Sequence, residues 1–303
     1  MSARARLSLL ALAGLMLLAG ALTPARAAAG HRVCVTDDAA RRVCLAQPAR
    51  RIVALSPGAT ELLFDAGAGA RLVGAVGFSD FPEAARAIPR VGSYKRLDLE
   101  RILALKPDLI VAWRSGNPTA QTERLEALGQ TLYYSEPRRL DDVATTLERF
   151  ARLAGSTATG NAVAREFRAG IAALATRYRK AAPVRVFYQV WEQPLMTVND
   201  EHLISQVIHL CGGVNVFGDL PALTPRIGRE AVLGANPEAI VAGGMGEENT
   251  AWLGPWRAFS SLIAVQRDNL FFVPPSTLQR PTPRLLQGAR LLCGHLESVR
   301  ERR

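Results

Sequence analysis

Two glutamates occupy equivalent positions in an internal repeat of this 303-residue chain. Residues 99–112 read LERILALKPDLIVA and residues 229–242 read REAVLGANPEAIVA, which places Glu100 and Glu230 at the same position of the two copies. A glutamate in the first turn of a helix complements the helix dipole, which stabilises it by about 0.3–1 kcal/mol. That effect explains either residue alone. Its repetition favours a second role, in which the two carboxylates form ion pairs with matching basic sites on a symmetric partner.

The repeat also indicates the elements that position these glutamates. Each copy has apolar residues at helical spacing, a proline (Pro107 or Pro237) that ends the helix, and a β-branched run typical of a buried strand. Short helices alternate with strands through the rest of both halves, which predicts parallel sheets with helices on their faces. We expect two Rossmann-like α/β lobes, with a ligand held between them.

One long amphipathic pattern lies between the halves. Apolar residues recur at helical spacing over residues 158–180, and a helix of about 23 residues spans roughly 35 Å. This predicts a rigid strut that joins the lobes. The expected organisation is a signal peptide at 1–27, a first lobe with an initial β-hairpin at 30–155, an interlobe helix at 156–182 and a second lobe at 183–303.

The first residues have the pattern of an export signal. Arg4 and Arg6 precede an apolar run over residues 7–22, which is short for a membrane span, and Ala25-Arg26-Ala27 is typical of a cleavage site. We expect a periplasmic protein whose leader is removed. The net charge of +10 comes from scattered arginines without a basic run, which indicates a solvated surface and no nucleic-acid partner.

Export makes disulfides the expected state of the four cysteines. Cys34 and Cys44 flank a segment that reads as a β-hairpin, so they can face each other across it. Cys211 ends a predicted helix and Cys293 lies in the C-terminal helical stretch. We predict the pairs Cys34–Cys44 and Cys211–Cys293.

The sequence does not indicate a catalytic or metal site. It has four histidines, no CxxC pair, and no GxSxG, HExxH or Walker motif. The glycines at 67–71 follow a helix instead of a strand, so they favour a helix end over a dinucleotide loop. We expect a binding protein that is not an enzyme, with no metal site and no cofactor.

From about residue 34 to residue 293, the chain resembles a known family. The VTDD hairpin, RIVALSPGATELLFDAGAG, the 99–112 copy, the 158–180 helix and LTPRIGREAVLGANPEAIV resemble the periplasmic solute-binding proteins of ABC importers whose lobes are joined by one long helix. That family carries cobalamin, haem and ferric siderophores. The resemblance implies that Glu100 and Glu230 form salt bridges with arginines of the two membrane-spanning permease subunits. We expect a monomeric carrier.

Several segments look most like the cobalamin-binding branch. They are GFSDFP (77–82), VGSYKRLDLE (91–100), AWRSGN (112–117) and the late cysteine pair. The resemblance implies that cobalamin is the transported ligand and that aromatic side chains on the cleft loops lie against its corrin ring. Such rings bury a large area with little loss of rotamer entropy. The predicted ligand contacts are Phe78, Tyr94, Trp113, Arg114, Trp191, Ser276, Thr277, Leu278, Gln279 and Arg280.

The second half departs from the cobalamin pattern. The loop at 276–280 has Leu278 where an aromatic residue is expected, Thr224 stands in place of a tryptophan, and Trp191 could compensate from a neighbouring position.

Two other ligands from the same family therefore stay open. Haem would need an iron ligand such as Tyr94 or His202. A ferric siderophore would need cleft arginines, for which Arg114, Arg226 and Arg280 are available. A secreted metal-dependent enzyme or metallochaperone is the alternative from another class, and the scarcity of histidine disfavours it.

Overall fold

The computed structural model describes residues 32–303 with the exception of Met245. The predicted signal peptide lies outside the described residues. No helix in the described part of the chain combines the length and the apolar character that crossing a bilayer requires.

Strands and helices alternate along the described chain, as the hydrophobic patterns predict. The strands are β1 (Val33–Thr36), β2 (Arg42–Leu45), β3 (Ile52–Ala54), β4 (Leu72–Ala75), β5 (Gly92–Ser93), β6 (Arg96–Leu97), β7 (Leu109–Trp113), β8 (Leu132–Ser135), β9 (Val184–Gln189), β10 (Gly213–Asn215), β11 (Ala239–Ala242) and β12 (Leu270–Phe272). The α-helices are α1 (Pro57–Asp65), α2 (Leu99–Ala104), α3 (Thr119–Ala127), α4 (Leu140–Ala154), α5 (Thr157–Tyr178), α6 (Leu203–Leu210), α7 (Arg229–Ala235), α8 (Ile263–Gln266), α9 (Pro275–Leu278) and α10 (Leu285–Glu301). Short 3-10 helices cover Gly69–Arg71, Glu83–Ala87 and Ala251–Ala258.

The two lobes are built on parallel sheets of identical topology. The first has the order β4-β3-β7-β8 and the second the order β10-β9-β11-β12. In both, the second strand along the chain lies at one edge, next to the first. The repeat copies fall on matching elements, since α2 leads to β7 and α7 leads to β11. The predicted pair of similar α/β halves is confirmed.

Each sheet is buried on both faces, as parallel sheets require. Leu109 and Val111 of β7 pack into the core that continues through both lobes, whereas Ile110 and Ala112 face a separate first-lobe core. Trp256 belongs to a corresponding cluster in the second lobe. This two-sided burial explains why the strands read as continuous β-branched runs.

Helix α5 has 22 residues and contacts elements of both lobes. It packs along α4 in the first lobe and touches α10 in the second. Gly170 of α5 lies so close to Leu286 of α10 that a Cβ at this position would collide with the leucine side chain. At the end of α5, the Tyr178 hydroxyl donates a hydrogen bond to Glu297 Oε2 (3.1 Å). The helix is therefore in side-chain contact with the second lobe near its middle and at its C-terminal end.

Each lobe contains one disulfide, and both predicted pairs are bonded in the structure. Cys34 and Cys44 face each other across the antiparallel β1–β2 hairpin, with Cα atoms 4.1 Å apart. Cys211, at the end of α6, is joined to Cys293 of α10 with Cα atoms 4.7 Å apart. The second bridge fixes two helices of the second lobe to each other.

Candidate functional site

The carboxyl ends of the two sheets meet through loop contacts at two places. Arg280, in the loop after α9, donates to Asp80 in the loop after β4 (3.0 Å). Gln206 of α6 donates to the Arg138 carbonyl (2.7 Å) and accepts from the Leu140 N–H (3.2 Å), just after β8. Ligands of open α/β sheets bind at the carboxyl ends of strands. The candidate site is the interlobe cleft, by which we mean the region bounded by these loops.

An aromatic pair lies at the carboxyl edge of the first sheet. Trp113 is the last residue of β7 and Tyr94 lies in the turn between β5 and β6, with ring centroids 5.7 Å apart and planes tilted by 46°. Both rings are half-buried. Gly116 lies directly against the indole, and any Cβ there would overlap it. The AWRSGN segment therefore requires glycine at this position to seat the tryptophan ring.

The buried amide of Asn117 fixes this aromatic pair. Its Oδ1 accepts from the Trp113 backbone N–H (2.7 Å), and its Nδ2 donates to the carbonyls of Leu55 (2.9 Å) and Tyr94 (3.0 Å). One side chain thus joins the ends of two sheet strands to the turn that carries the tyrosine. Its role was not predicted from the sequence, because two of its three partners, Leu55 and Tyr94, are distant from it along the chain.

Two further predicted contacts in the first lobe differ in their surroundings. Phe78 is 71% exposed, and its backbone has φ 63°, a left-handed conformation that is strained for an aromatic residue. Arg114 is exposed and donates to the Asp38 carbonyl in the hairpin turn (3.1 Å). Phe78 therefore presents a free apolar surface, whereas Arg114 is directed to the hairpin.

A second aromatic pair lies in the second lobe. Trp191, just after β9, is 40% exposed and meets the ring of Trp252 edge-on at 5.8 Å. Its indole N–H donates to the Gln193 carbonyl (2.9 Å). Trp252 is buried in the 3-10 helix after β11 and was not predicted from the sequence, because that helix has no regular apolar period.

Three of the ligand contacts predicted in residues 276–280 are buried inside the protein. The side chains of Ser276, Thr277 and Leu278 are buried: Ser276 donates to Glu247 (2.6 Å), Thr277 donates to the Pro274 carbonyl (2.7 Å), and Leu278 packs in the hydrophobic core. The prediction that these side chains face a ligand does not fit their positions. Leu278 is the last residue of α9, and its side chain lies in the hydrophobic core, so it does not take the place of an aromatic cleft residue.

Gln279 and Arg280 are the members of this loop with accessible side chains. The Gln279 amide lies beside the Tyr188 hydroxyl above Gly243, where a Cβ would overlap both. Tyr188 is fully buried, and burial raises its pKa to about 12, so its hydroxyl keeps its proton. The glutamine is therefore held near a neutral hydrogen-bonding group at the carboxyl edge of the second sheet.

Charged side chains from both lobes meet at the base of the cleft. Glu61 of α1 is fully buried and faces Arg284 (3.1 Å) and Arg280 (3.7 Å) of the second lobe, and it accepts a hydrogen bond from Thr282 (2.5 Å). Burial raises the pKa of Glu61, although Thr282 and the two arginines oppose this shift. One turn further along α1, burial and the neighbouring Glu61 raise the pKa of Asp65 to about 7.

The residues considered for other ligands differ in their surroundings, and Tyr94, one of the two haem candidates, belongs to the aromatic pair described above. His202 caps α6, where its Nδ1 accepts the Ile204 N–H (3.1 Å), and burial lowers its pKa to about 4. Its Nδ1 is committed to the helix end. Arg226 and Thr224 are exposed on the loop before α7. In the described residues, no three His, Cys, Asp or Glu side chains are grouped so that they could hold a metal ion.

Two surface depressions lie beside the β1–β2 hairpin, away from the cleft. One of about 310 Å³ is bordered by Arg149, which is ion-paired with Asp38 (2.6 Å). The other, of about 400 Å³, is bordered by Arg41 and its ion-pair partner Glu126. Neither depression is lined by a predicted ligand contact, and both are shallow features of the hairpin side of the first lobe.

The two repeat glutamates are exposed and occupy the first turns of equivalent helices. Glu100 follows the Asp98 cap of α2, and Glu230 follows Gly228 at the start of α7. Neither carboxylate is within salt-bridge distance of a basic group in the described part of the chain, and both are free to meet a partner.

Comparison with protein families agrees with this architecture. The model of the family described as periplasmic binding protein matches residues 52–277, which include both sheets and the helix between them. This chain belongs to the periplasmic binding protein family.

Within the family, the chain is similar to vitamin B12-binding proteins. It is 37% identical over 243 residues to the vitamin B12-binding protein of Vibrio cholerae, covering 80% of this chain and 87% of that protein. The crystal structure of the periplasmic vitamin B12 binding protein of Vibrio cholerae superposes with a TM-score of 0.78 at 37% identity, covering 84% of this chain and 99% of that one.

The fold extends to family members with other ligands. The periplasmic haem-binding protein of Roseiflexus sp. RS-1 superposes with a TM-score of 0.74, covering 82% of this chain and 98% of that one, at 22% identity. At this identity the likeness concerns the fold alone.

Proposed function

We propose that this protein is the periplasmic substrate-binding component of an ABC importer, and that it captures cobalamin in the interlobe cleft. Cobalamin is the cargo in this proposal and not a cofactor. The observation that carries it is the Tyr94–Trp113 pair at the cleft edge of a chain 37% identical to a vitamin B12-binding protein.

The chemistry of the first-lobe side suits a corrin ring. A macrocycle of this size offers a broad apolar face, against which rigid aromatic rings bury area at little entropic cost. Tyr94 and Trp113 provide two such rings, and the Asn117 hydrogen bonds hold their backbones before any ligand arrives. Phe78 adds a third, exposed ring. Preorganisation of this kind increases affinity because less freedom is lost on binding.

The second lobe contributes a different set of groups. Trp191 offers apolar surface, and the Gln279 amide beside Tyr188 can exchange hydrogen bonds with the amide side chains at the rim of the corrin. A ferric siderophore would instead call for several free guanidinium groups. Of the three candidate arginines, Arg114 and Arg280 are directed to protein acceptors and Arg226 alone is exposed without such a partner in the described residues, which favours the corrinoid.

Delivery would use the two repeat glutamates. Glu100 and Glu230 stand on matching helices of the two lobes and are free of intramolecular ion pairs. A permease dimer presents two equivalent surfaces, so one carboxylate from each lobe could meet an arginine on each subunit. The protein would then act as a monomer that docks with its two lobes on the two permease subunits.

Calorimetric titration with cyanocobalamin, haemin and a ferric hydroxamate siderophore tests the ligand. We expect saturable one-to-one binding of cyanocobalamin, because its corrin face matches the aromatic side of the cleft. Leu128→Ala, at an exposed position after α3, serves as a control variant that should bind like the parent. Tight binding of haemin or of the siderophore, with no binding of cyanocobalamin, would refute the proposal.

A further inference from the structure

The loop that carries Phe78, residues 77–82, is anchored in the first lobe on both sides of the phenylalanine. The Gly77 N–H donates to the Gly92 carbonyl (2.9 Å). The Ser79 carbonyl accepts from Arg90 (2.8 Å), and the Ser79 hydroxyl oxygen accepts from the Thr60 hydroxyl (3.0 Å). Ser79 is buried, while the neighbouring Phe78 is 71% exposed. The phenylalanine is therefore held out by a fixed backbone.

The second lobe supplies the remaining support through one guanidinium group. Arg280 Nη1 donates to Asp80 Oδ1 (3.0 Å), and Arg280 Nη2 donates to the Phe78 carbonyl (3.3 Å). Arg280 Nη1 also lies 3.7 Å from the buried Glu61 Oε2. Arg284 places its guanidinium over the ring of Phe81 in the same loop, 4.1 Å from the centroid. The loop thus has contacts with both lobes.

The carbonyl that Arg280 holds belongs to the strained residue. A non-glycine residue at positive φ persists only where its surroundings over-determine it, and such strain gathers at ligand clamps. A guanidinium group can satisfy a carboxylate and a carbonyl at once because its donors form a planar fork. Both terminal nitrogens of Arg280 are occupied in this way, so the side chain is directed to the loop.

We propose that Arg280 is a positioning residue: it fixes Phe78 across the lobe junction, and its effect on ligand affinity passes through that ring. This inference rests on the proposed function only in that Phe78 contacts the cleft ligand. Separating the lobes would remove Arg280 from Asp80 and from the Phe78 carbonyl together, and this would affect release of the ligand. The position of the ring would then depend on whether the lobes are in contact.

Cyanocobalamin titrations of Arg280→Gln, Phe78→Ala and the double variant test this coupling. Each single variant should weaken binding by about fivefold to twentyfold, and the double variant should bind like Phe78→Ala within about twofold. Asp80→Asn removes the carboxylate partner but leaves the guanidinium intact, and it should also weaken binding. If Arg280 touched the ligand directly, the two losses would multiply and Asp80→Asn would leave affinity unchanged or improved; either result overturns the proposal.

Hydrogen–deuterium exchange of the ligand-free protein separates this inference from the identity of the ligand. Arg280→Gln and Asp80→Asn should each accelerate exchange in residues 77–82 by about fivefold or more. Arg290→Gln, at an exposed position on α10, is the matched control and should leave the loop unchanged. If the parent does not bind cyanocobalamin but the exchange result holds, the proposed function fails and the positioning role stands. Unchanged exchange in both variants would overturn the positioning role whatever the ligand.

Discussion

The two lobes share a topology but differ in how each holds the aromatic pair near the end of its sheet strands. In the first, the buried Asn117 makes three hydrogen bonds to backbone atoms and fixes the Tyr94–Trp113 pair. In the second, Trp191 rests edge-on against Trp252, with its indole hydrogen bond made only two residues along its own loop. The first aromatic pair is thus tied to segments distant in sequence, whereas Trp191 is held by nearby residues, including the Met196 N–H, which donates to its carbonyl (3.1 Å).

Features that match between the lobes are set by the shared fold, and features that differ are available for ligand binding. The sheet orders and the helices that carry Glu100 and Glu230 match between the lobes. The cleft loops do not match, and loops are where binding residues concentrate on a shared scaffold. We therefore expect the lobes to be equivalent in docking and unequal in ligand binding.

The largest effect should come from reversing both docking charges. Glu100→Arg combined with Glu230→Arg should abolish cobalamin uptake, because like charges at a docked interface are strongly unfavourable. Uptake is measured in cells that carry the cognate importer and depend on cobalamin for growth. Each single reversal should be milder than the pair, and the two should be similar because the sites are equivalent.

Glu123→Arg, on the exposed face of α3, is the control for added charge and should leave uptake unchanged. Cyanocobalamin affinity should be unaltered in all of these variants. Normal uptake by the double variant, or loss of its ligand binding, would show that the glutamates do not act in docking.

The next effect concerns the amide that fixes the first aromatic pair. Asn117→Ala should destabilise the protein by about 2–4 kcal/mol, because it leaves buried backbone groups without partners. It should also weaken cyanocobalamin binding by about tenfold, measured where the variant is folded.

Asn215 of the second lobe provides a matched control. It is similarly buried and makes three hydrogen bonds, to Val198, Ser205 and Phe217. Asn215→Ala should destabilise to a similar degree while leaving affinity within about twofold. Equal losses of affinity in the two variants would mean that Asn117 acts only through overall stability.

A smaller effect is expected at the junction between the lobes, where stability should depend on pH through Asp65. Burial, together with the neighbouring Glu61, raises the pKa of its carboxyl group to about 7, against about 4 in the unfolded chain. The folded protein therefore binds this proton more tightly than the unfolded chain does. The resulting gain in the free energy of unfolding is fully present below about pH 4 and is lost as the pH rises through 7. Asp65→Asn should stabilise the protein by about 1–3 kcal/mol at pH 8 and by much less at pH 4.

Urea unfolding at the two pH values measures this difference. Asp219→Asn, at an exposed position outside the ion pairs of the described residues, is the matched control. A stabilisation by Asp65→Asn that is the same at both pH values would contradict the assignment of a raised pKa to this carboxyl group.

The regular elements were predictable because their sequence signals are local. The strands β7 and β11 have β-branched runs because they are buried on both faces of their sheets. Helix α5 has an apolar period because it is buried on one face. The hairpin and its disulfide follow from two short strands around a turn. The position of Trp113 at the end of a parallel strand was predictable for a related reason, and its contact with the ligand stays a prediction.

The missed features depend on contacts between segments that are distant in sequence. Nothing in the AWRSGN segment indicates that Asn117 meets the carbonyls of Leu55 and Tyr94. Arg280 was predicted as a ligand contact, whereas its partner Asp80 lies in the other lobe. Helix α4 was also missed, although its signal is local. Its buried residues have helical spacing, which predicts a helix: Val143, Leu147, Phe150 and Ala154.

The most direct test of the central claim compares Trp113→Ala with Trp191→Ala in one calorimetric series with cyanocobalamin. Trp113→Ala should weaken binding by about 1–3 kcal/mol, because it removes the ring that is held in place before binding. Trp191→Ala should weaken it by less than about 1 kcal/mol, because the neighbouring Trp252 ring stays in place and keeps an apolar surface there. An unchanged affinity for Trp113→Ala, or a larger loss for Trp191→Ala, would contradict the claim that the first lobe provides the principal corrin-binding surface.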